Sequence, residues 1–212
     1  MTLMSDPLRA ELVSAYTAPG RHYHDLRHIE ALLGLAAACA DAIADRDAIE
    51  AAIWFHDAIY DTRRHDNEER SADLAAARLA GATTIDRIVA MIRATAGHRA
   101  PDFADMRAAQ DCALFLDMDL TILGAPAADF DAYEEDVRRE YAWVPEPQWR
   151  TGRRAVLAGF LARPAIYATA HFRASHEAAA RRNLGRAITR LDGAGPDGGP
   201  SVTVVGPIPS EP

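Results

Sequence analysis

Apolar positions recur at helical spacing along most of this chain, and strand-like alternation of β-branched residues is nearly absent before Ser201. Alanine, leucine and arginine dominate, and all three favour helix. The pattern predicts helices over residues 6–17, 25–40, 46–59, 67–79, 84–95, 106–122, 127–142, 147–162 and 175–191. Breakers stand between them: "APG" at 18–20, Gly81, Gly97, Gly124 followed by Pro126, and "VPEP" at 144–147. Pro164 ends the helix before it. From Gly193 onward "GAGPDGGPSVTVVGPIPSEP" is rich in Gly and Pro and reads as a flexible tail, with "SVTVV" as its strand-like run. No internal repeat is visible. The expectation is an all-α protein, one bundle-like domain over residues 1–192 followed by a tail at 193–212.

Composition narrows the function. A chain of 212 residues that is 49% hydrophobic can bury one sizeable core without disulfides. Its net charge of −8 argues against nonspecific binding to a nucleic-acid polymer or an anionic membrane. Cys39 and Cys112 lie far apart without CxxC spacing and read as free thiols in a reducing compartment. The start, "MTLMSDPLRAELVSAY", lacks the basic-then-apolar pattern of a signal peptide, and no run is apolar enough to span a bilayer. A cytoplasmic location is therefore expected. All 23 basic residues are arginine, which excludes Schiff-base lysine chemistry and the lysine of a P-loop.

Polar groups inside apolar runs carry the chemistry. The chain has three His-Asp dipeptides, where composition alone predicts about one. Asp25 and Asp66 sit where helix caps are expected, and Asp66 precedes Glu69 at capping-box spacing. His56-Asp57 instead follows "AIEAAIWF", inside a helix that must be largely buried, where an unpaired carboxylate is costly. In "RHYHDLRHIEALLGL", His24 and His28 share a face that continues into Leu32 and Leu35, so His28 points inward. The apolar run "CALFLDMDLTILG" keeps two acids, Asp117 and Asp119. Two imidazoles and two carboxylates at one centre form a mixed nitrogen and oxygen site suited to Mn²⁺, Fe²⁺, Co²⁺, Mg²⁺ or Zn²⁺. A helical core with hydrogen-bonded histidines is the bland alternative.

At these residues the sequence resembles the HD-domain superfamily of metal-dependent phosphohydrolases. "RHYHDLRHI", "FHDAIYDTRRHDNEERSA", "LFLDMDLTILG", "VRREYAWV" and "ARRNL" are similar to motifs of a subgroup of small bacterial predicted HD hydrolases, over about residues 8 to 191. The subgroup often has asparagine where Asp25 stands. The resemblance implies an HD-type helical bundle and a metal held by His28, His56, Asp57 and Asp119, with Asp119 preferred to Asp117 because "MDLTILG" matches the family's helix end. It implies hydrolysis of a phosphate ester of a small molecule, a nucleotide first among candidates, by a metal-activated water.

Asp61, four residues after Asp57, is expected on the same helix face as a general acid or base. Glu68 resembles an acid that some HD phosphohydrolases hold near the attacking water, and a first-turn helix carboxylate is its ordinary alternative. His98, after a helix end, is a third catalytic candidate. His24, Arg27, Asn67, Arg70 and Arg139 are candidates for substrate binding, since without lysine a phosphate must be met by arginine or histidine. His24 and His98 are also candidates for supporting a second ion. "WVPEPQW" is expected to fold over the bundle with Trp143 and Trp149 packing. Three other readings stay open: a metal-binding regulatory or ligand-binding domain without efficient catalysis, a helical interaction module, and an iron oxygenase. The oligomeric state is open too.

Overall fold

The structure is a computed structural model that describes residues 3–193. Among them the chain is all helical, with no strand. The order is α1 (Asp6–Tyr16), α2 (Leu26–Ala38), α3 (Arg46–Phe55), α4 (Asn67–Arg78), α5 (Ile85–Ala94), α6 (Met106–Asp119), α7 (Ala127–Glu140), α8 (Glu146–Leu161) and α9 (Ala170–Leu191). Short 3-10 turns follow α2 at Ala40–Ala42 and α6 at Leu120–Gly124. No described helix is long and apolar enough to cross a membrane. Apart from Gly193, the expected tail, with its "SVTVV" run, lies outside the described residues.

Helix α3 is the hub because its sequence has almost no polar face. Ala48, Ile49, Ala51, Ala52, Ile53, Trp54 and Phe55 are all buried. It packs against α1, α2, α4, α5 and α6, while α8 packs on α9 and α9 on the 3-10 turn after α6. Burying so many aliphatic and aromatic side chains stabilises by about 1.5–3 kcal/mol each for the larger ones. The α2–α3 link is tied to α6 by buried Asp111, which accepts from the backbone N–H groups of Ala44 and Asp45 at 2.8 and 2.9 Å. Both cysteines are free.

Three local expectations are corrected. First, α3 stops at Phe55 rather than continuing to residue 59. Tyr16 donates to the Trp54 carbonyl and Arg21 to the Ala58 carbonyl, while Ser71 accepts the Ile59 N–H. Side chains from other elements thus satisfy backbone groups that a longer helix would have paired. His56 and Asp57 therefore sit at the helix end, not in its middle. Second, Asp66 makes no side-chain cap bond; it pairs with Arg64, and Glu69 pairs with Arg93, so no capping box forms. Third, α9 begins at Ala170, five residues before the expected 175. Thr169 accepts from Phe172 N–H, and the Asp117 carboxylate accepts from the N–H groups of Ala168 and Thr169, both at 2.7 Å. A carboxylate at a helix start is favoured by the exposed N–H groups there.

The turn after α6 is locked in place. Asn183 of α9 donates to the carbonyls of Leu123 and Ala125, each at 2.9 Å, and Tyr167 donates to that of Leu120 at 3.0 Å. Gly124 is required by proximity: a Cβ there would stand 2.7 Å from His176 Cβ and 2.9 Å from its carbonyl oxygen. These contacts fix the end of α6, where Asp119 lies.

Candidate metal centre

His28 comes from the buried face of α2, whose start is capped by Asp25 accepting from Arg27 N–H at 2.9 Å. His56 is the C-cap of α3 and is 1% exposed, its ring edge-on to Phe115. Asp57 follows it. Asp119 is the last residue of α6. His28 Nε2 stands 3.2 Å from His56 Nε2 and 3.2 Å from Asp119 Oδ1. His56 Nε2 stands 3.0 Å from Asp57 Oδ2 and 3.6 Å from Asp119 Oδ1. One atom each of His28, His56 and Asp57 lies within 4.8 Å of the others, and Asp119 Oδ1 faces both imidazoles.

Tautomers make this arrangement informative. His56 Nδ1 lies 2.9 Å from the Ile53 carbonyl, which can only accept. Nδ1 must carry the proton, so in the neutral ring Nε2 presents a lone pair to a second imidazole and two carboxylates. Such a cluster needs a shared cation or an extra proton. In the metal-free protein the proton serves. Burial alone would lower the His56 pKa, but Asp57 and Asp119 outweigh it and hold it well above 6.5. Burial would raise both carboxylates, and the His56 charge holds them below the usual carboxylate range. A divalent ion fits the same place. Neighbouring ligands at about 2.1 Å from one ion stand about 3.0 Å apart at octahedral angles and about 3.4 Å at tetrahedral ones. The separations of 3.0, 3.2 and 3.2 Å fall in that range, 3.6 Å lies just above it, and His28 Nε2 to Asp57 Oδ2 is 4.0 Å. Two nitrogens and two oxygens suit the borderline and hard divalent ions.

Comparison with known protein families, curated proteins and solved structures returns no match.

Around the centre, His98 Nε2 stands 2.9 Å from Asp119 Oδ2, so Asp119 faces the imidazole pair with one oxygen and His98 with the other. His98 has φ +46°, a costly backbone for this residue. Arg163 holds it by donating to the carbonyls of Gly97 and His98 at 2.8 and 3.1 Å. Of the centre, His56, Asp57 and Asp119 line a cleft of about 760 Å³, while His28 lines a second one. His24, Asn67, Glu68 and His98 line the first cleft, and Trp143, Val156 and Phe160 form an apolar wall. Trp143 donates to Thr62 Oγ1 at 2.8 Å and lies under the Arg63 guanidinium, while Trp149 packs on Tyr141.

Other expected residues are elsewhere. Asp61 does not share a helix face with Asp57, because no helix continues past Phe55. It is exposed, accepts from Arg63 N–H, and exchanges bonds with Asn67 that close the 61–67 loop. Arg27 pairs with Asp25 and Asp136 on the outer side of α2, and Arg139 pairs with the same Asp136. Arg70 is exposed and lies outside the cleft. Arg64 and Arg153 line it instead, each already paired, to Asp66 and Glu134 respectively. Their sequence surroundings carry no signal that separates them from the other arginines. Glu140 was legible only as part of "VRREYAWV", yet its buried carboxylate organises the 22–24 segment.

Asp117 and Asp119 are separated by partners. Asp117 is 1% exposed and accepts from the N–H groups of Ala168 and Thr169 and from Thr169 Oγ1 at 2.6 Å. Its oxygens serve the start of α9, not the imidazoles. Asp117→Ala is expected to lower stability by about 2–3 kcal/mol, the scale of charge-assisted hydrogen bonds, while metal content is retained. Asp119→Ala is expected to show the reverse priority: loss of metal. Elemental analysis and thermal melts of both variants check this.

Proposed function

We propose that this protein is a divalent-metal-dependent phosphoric ester hydrolase of the HD kind, acting on a small phosphorylated substrate, with nucleotides first among the candidates. The observation that carries the reading is the meeting of His28 from α2, His56 and Asp57 from the end of α3 and Asp119 from the end of α6, with the last three lining a cleft. A cleft of about 760 Å³ is of the size that holds a small organic ligand. The resemblance of the ordered motifs to HD phosphohydrolases supplies the reaction class. When bound, Mn²⁺, Fe²⁺, Co²⁺, Mg²⁺ or Zn²⁺ supplies an acidified water and charge stabilisation at a phosphoryl oxygen. The chain's own residues do the rest. His98 holds Asp119 in orientation, and Glu68 offers a carboxylate to take a proton from the attacking water. Val156 and Phe160 add apolar surface to the lining of the cleft.

The test is a panel of phosphomonoesters and nucleotides with protein loaded in turn with each of these metals. Turnover that disappears with chelator and in Asp57→Ala is the expected result. Stoichiometric metal with no turnover on any ester would overturn the hydrolase reading in favour of a metal-dependent binding domain.

A further inference from the structure

Helix α8 turns one face to the cleft, and that face is apolar except at one position. Trp149, Arg153, Val156, Leu157 and Phe160 recur at helical spacing, and all line the cleft. The Arg153 side chain is 10% exposed. Its Nε and Nη2 donate to the two carboxylate oxygens of Glu134 on α7, and Nη2 donates also to the Tyr133 hydroxyl at 2.8 Å. These bonds fix the plane of the guanidinium. An ion pair that only fastened α8 to α7 would need nothing more, yet Nη1 has no hydrogen-bond partner among the described residues. Nη1 is not sealed off either, because among those residues Trp54 Nε1 is the sole buried side-chain nitrogen or oxygen without a partner. Arg153 lines the cleft, so two spare N–H groups are open to a ligand there.

The surroundings say what that ligand is like. Among the described residues three large hydrophobic side chains are exposed, and two of them, Trp143 and Val156, line this cleft. Exposed apolar surface gathered in a cleft suits a partly apolar ligand. Glu134 already balances the charge of Arg153, so a second anion gains little there, whereas an uncharged acceptor oxygen completes the fork. Arg64 is likewise balanced by both oxygens of Asp66, which favours one phosphate, at the metal, over a chain of them. The guanidinium of Arg153 also stands apart from the metal centre: it lies on the Tyr133 ring, Tyr133 packs on Tyr23, and Tyr23 on His28. We propose that Arg153 is a specificity-determining residue whose Nη1 donates to a carbonyl oxygen on an uncharged ring, at the end of the substrate remote from the scissile phosphate. A nucleobase with a ring carbonyl has that chemistry. The inference rests on the phosphoesterase reading above and narrows its substrate to a nucleoside monophosphate.

The experiment compares Mn²⁺-loaded wild type, Arg153→Lys and the double variant Arg153→Met/Glu134→Gln on uridine 5′-monophosphate and ribose 5-phosphate. The two esters share a primary alkoxide leaving group and differ in the base. Lysine keeps the ion pair with Glu134 but has no second arm for a ligand, and the double variant strands no buried charge. Wild type is expected to show a kcat/KM at least tenfold higher on the nucleotide. Both variants are expected to lose about tenfold to a hundredfold on the nucleotide, chiefly through KM, and no more than severalfold on ribose 5-phosphate. A merely structural role, or a contact with the scissile phosphate, lowers both esters alike. That outcome, no loss on either ester, or a wild type that does not distinguish them overturns the proposal. Calorimetry of uridine 5′-monophosphate binding separates the two readings. A wild type that hydrolyses neither ester but binds the nucleotide, about tenfold more weakly in Arg153→Lys, overturns the phosphoesterase reading and leaves the Arg153 subsite standing. A wild type that neither hydrolyses nor binds the nucleotide overturns the subsite. If neither variant folds, the wild-type preference between the two esters decides.

Discussion

Protein purified without chelator is expected to hold about one divalent metal ion per chain, and His56→Ala protein is expected to hold none. The reason is the forced tautomer. With Nδ1 donating to Ile53, the neutral His56 ring turns a lone pair on Asp57 at 3.0 Å and Asp119 at 3.6 Å, with a second imidazole at 3.2 Å. An ion satisfies all four groups at once; an alanine removes the central nitrogen and leaves two acids behind. Chelation should also lower the melting temperature of the wild type. An ion at a hundredfold excess over its Kd stabilises by about 2.7 kcal/mol, which is about 5–11 °C for a domain of this size. His56→Ala should melt at the same temperature with and without chelator. A wild type that takes up no ion after reconstitution with Mn²⁺ and Fe²⁺ would sink the metal reading and leave His56 as a buried imidazolium held by two aspartates.

Glu140→Ala is expected to have the largest effect on stability of any single carboxylate change. The variant strands three backbone N–H groups, the Tyr60 hydroxyl and His24 at once. Breaking such a buried, charge-assisted set costs about 3 kcal/mol or more, or about 6–12 °C in melting temperature. Stability should also follow pH through this pair. Burial would raise Glu140, yet the bonds from His24 and the backbone hold it down at about 2, against an ordinary 4.5. Its contribution is therefore complete above 4.5 and is lost as pH falls toward about 2. His24 is shifted upward from 6.5, so its contribution is complete below 6.5 and is lost as pH rises through the raised value. The pair should stabilise most between these limits, and Glu140→Gln should flatten the dependence at both ends. Thermal melts across pH check this, and an unchanged profile in the variant would show that the pair is not the source.

Much of this protein can be read without coordinates, because helix formation is a local matter. Alanine-rich runs punctuated by Gly and Pro place all nine described helices, and eight of them start within one residue of the expected position while α9 does not. The inward face of His28 follows from its spacing to Leu32 and Leu35. The oddity of His56-Asp57 in an apolar run is also local, and it points at the centre. What the sequence could not supply is whatever depends on groups far along the chain. Helix α3 ends early because Tyr16, Arg21 and Ser71 take its neighbouring backbone groups. Helix α9 starts early because Asp117, about fifty residues before it, receives its first N–H groups. Asp117 and Asp119 look alike in "LDMDL", and only their partners separate them. The arginines differ in the same way: nothing local distinguishes Arg27, Arg70 and Arg139 from Arg64 and Arg153, and the packing alone turns the latter two to the cleft. Glu140 meets its partners across more than a hundred residues of chain, a contact that no periodicity encodes. Sequence thus determined the helices and the chemistry available to them; tertiary structure decided which polar groups meet, because burial forces each one to find a partner wherever the chain provides it.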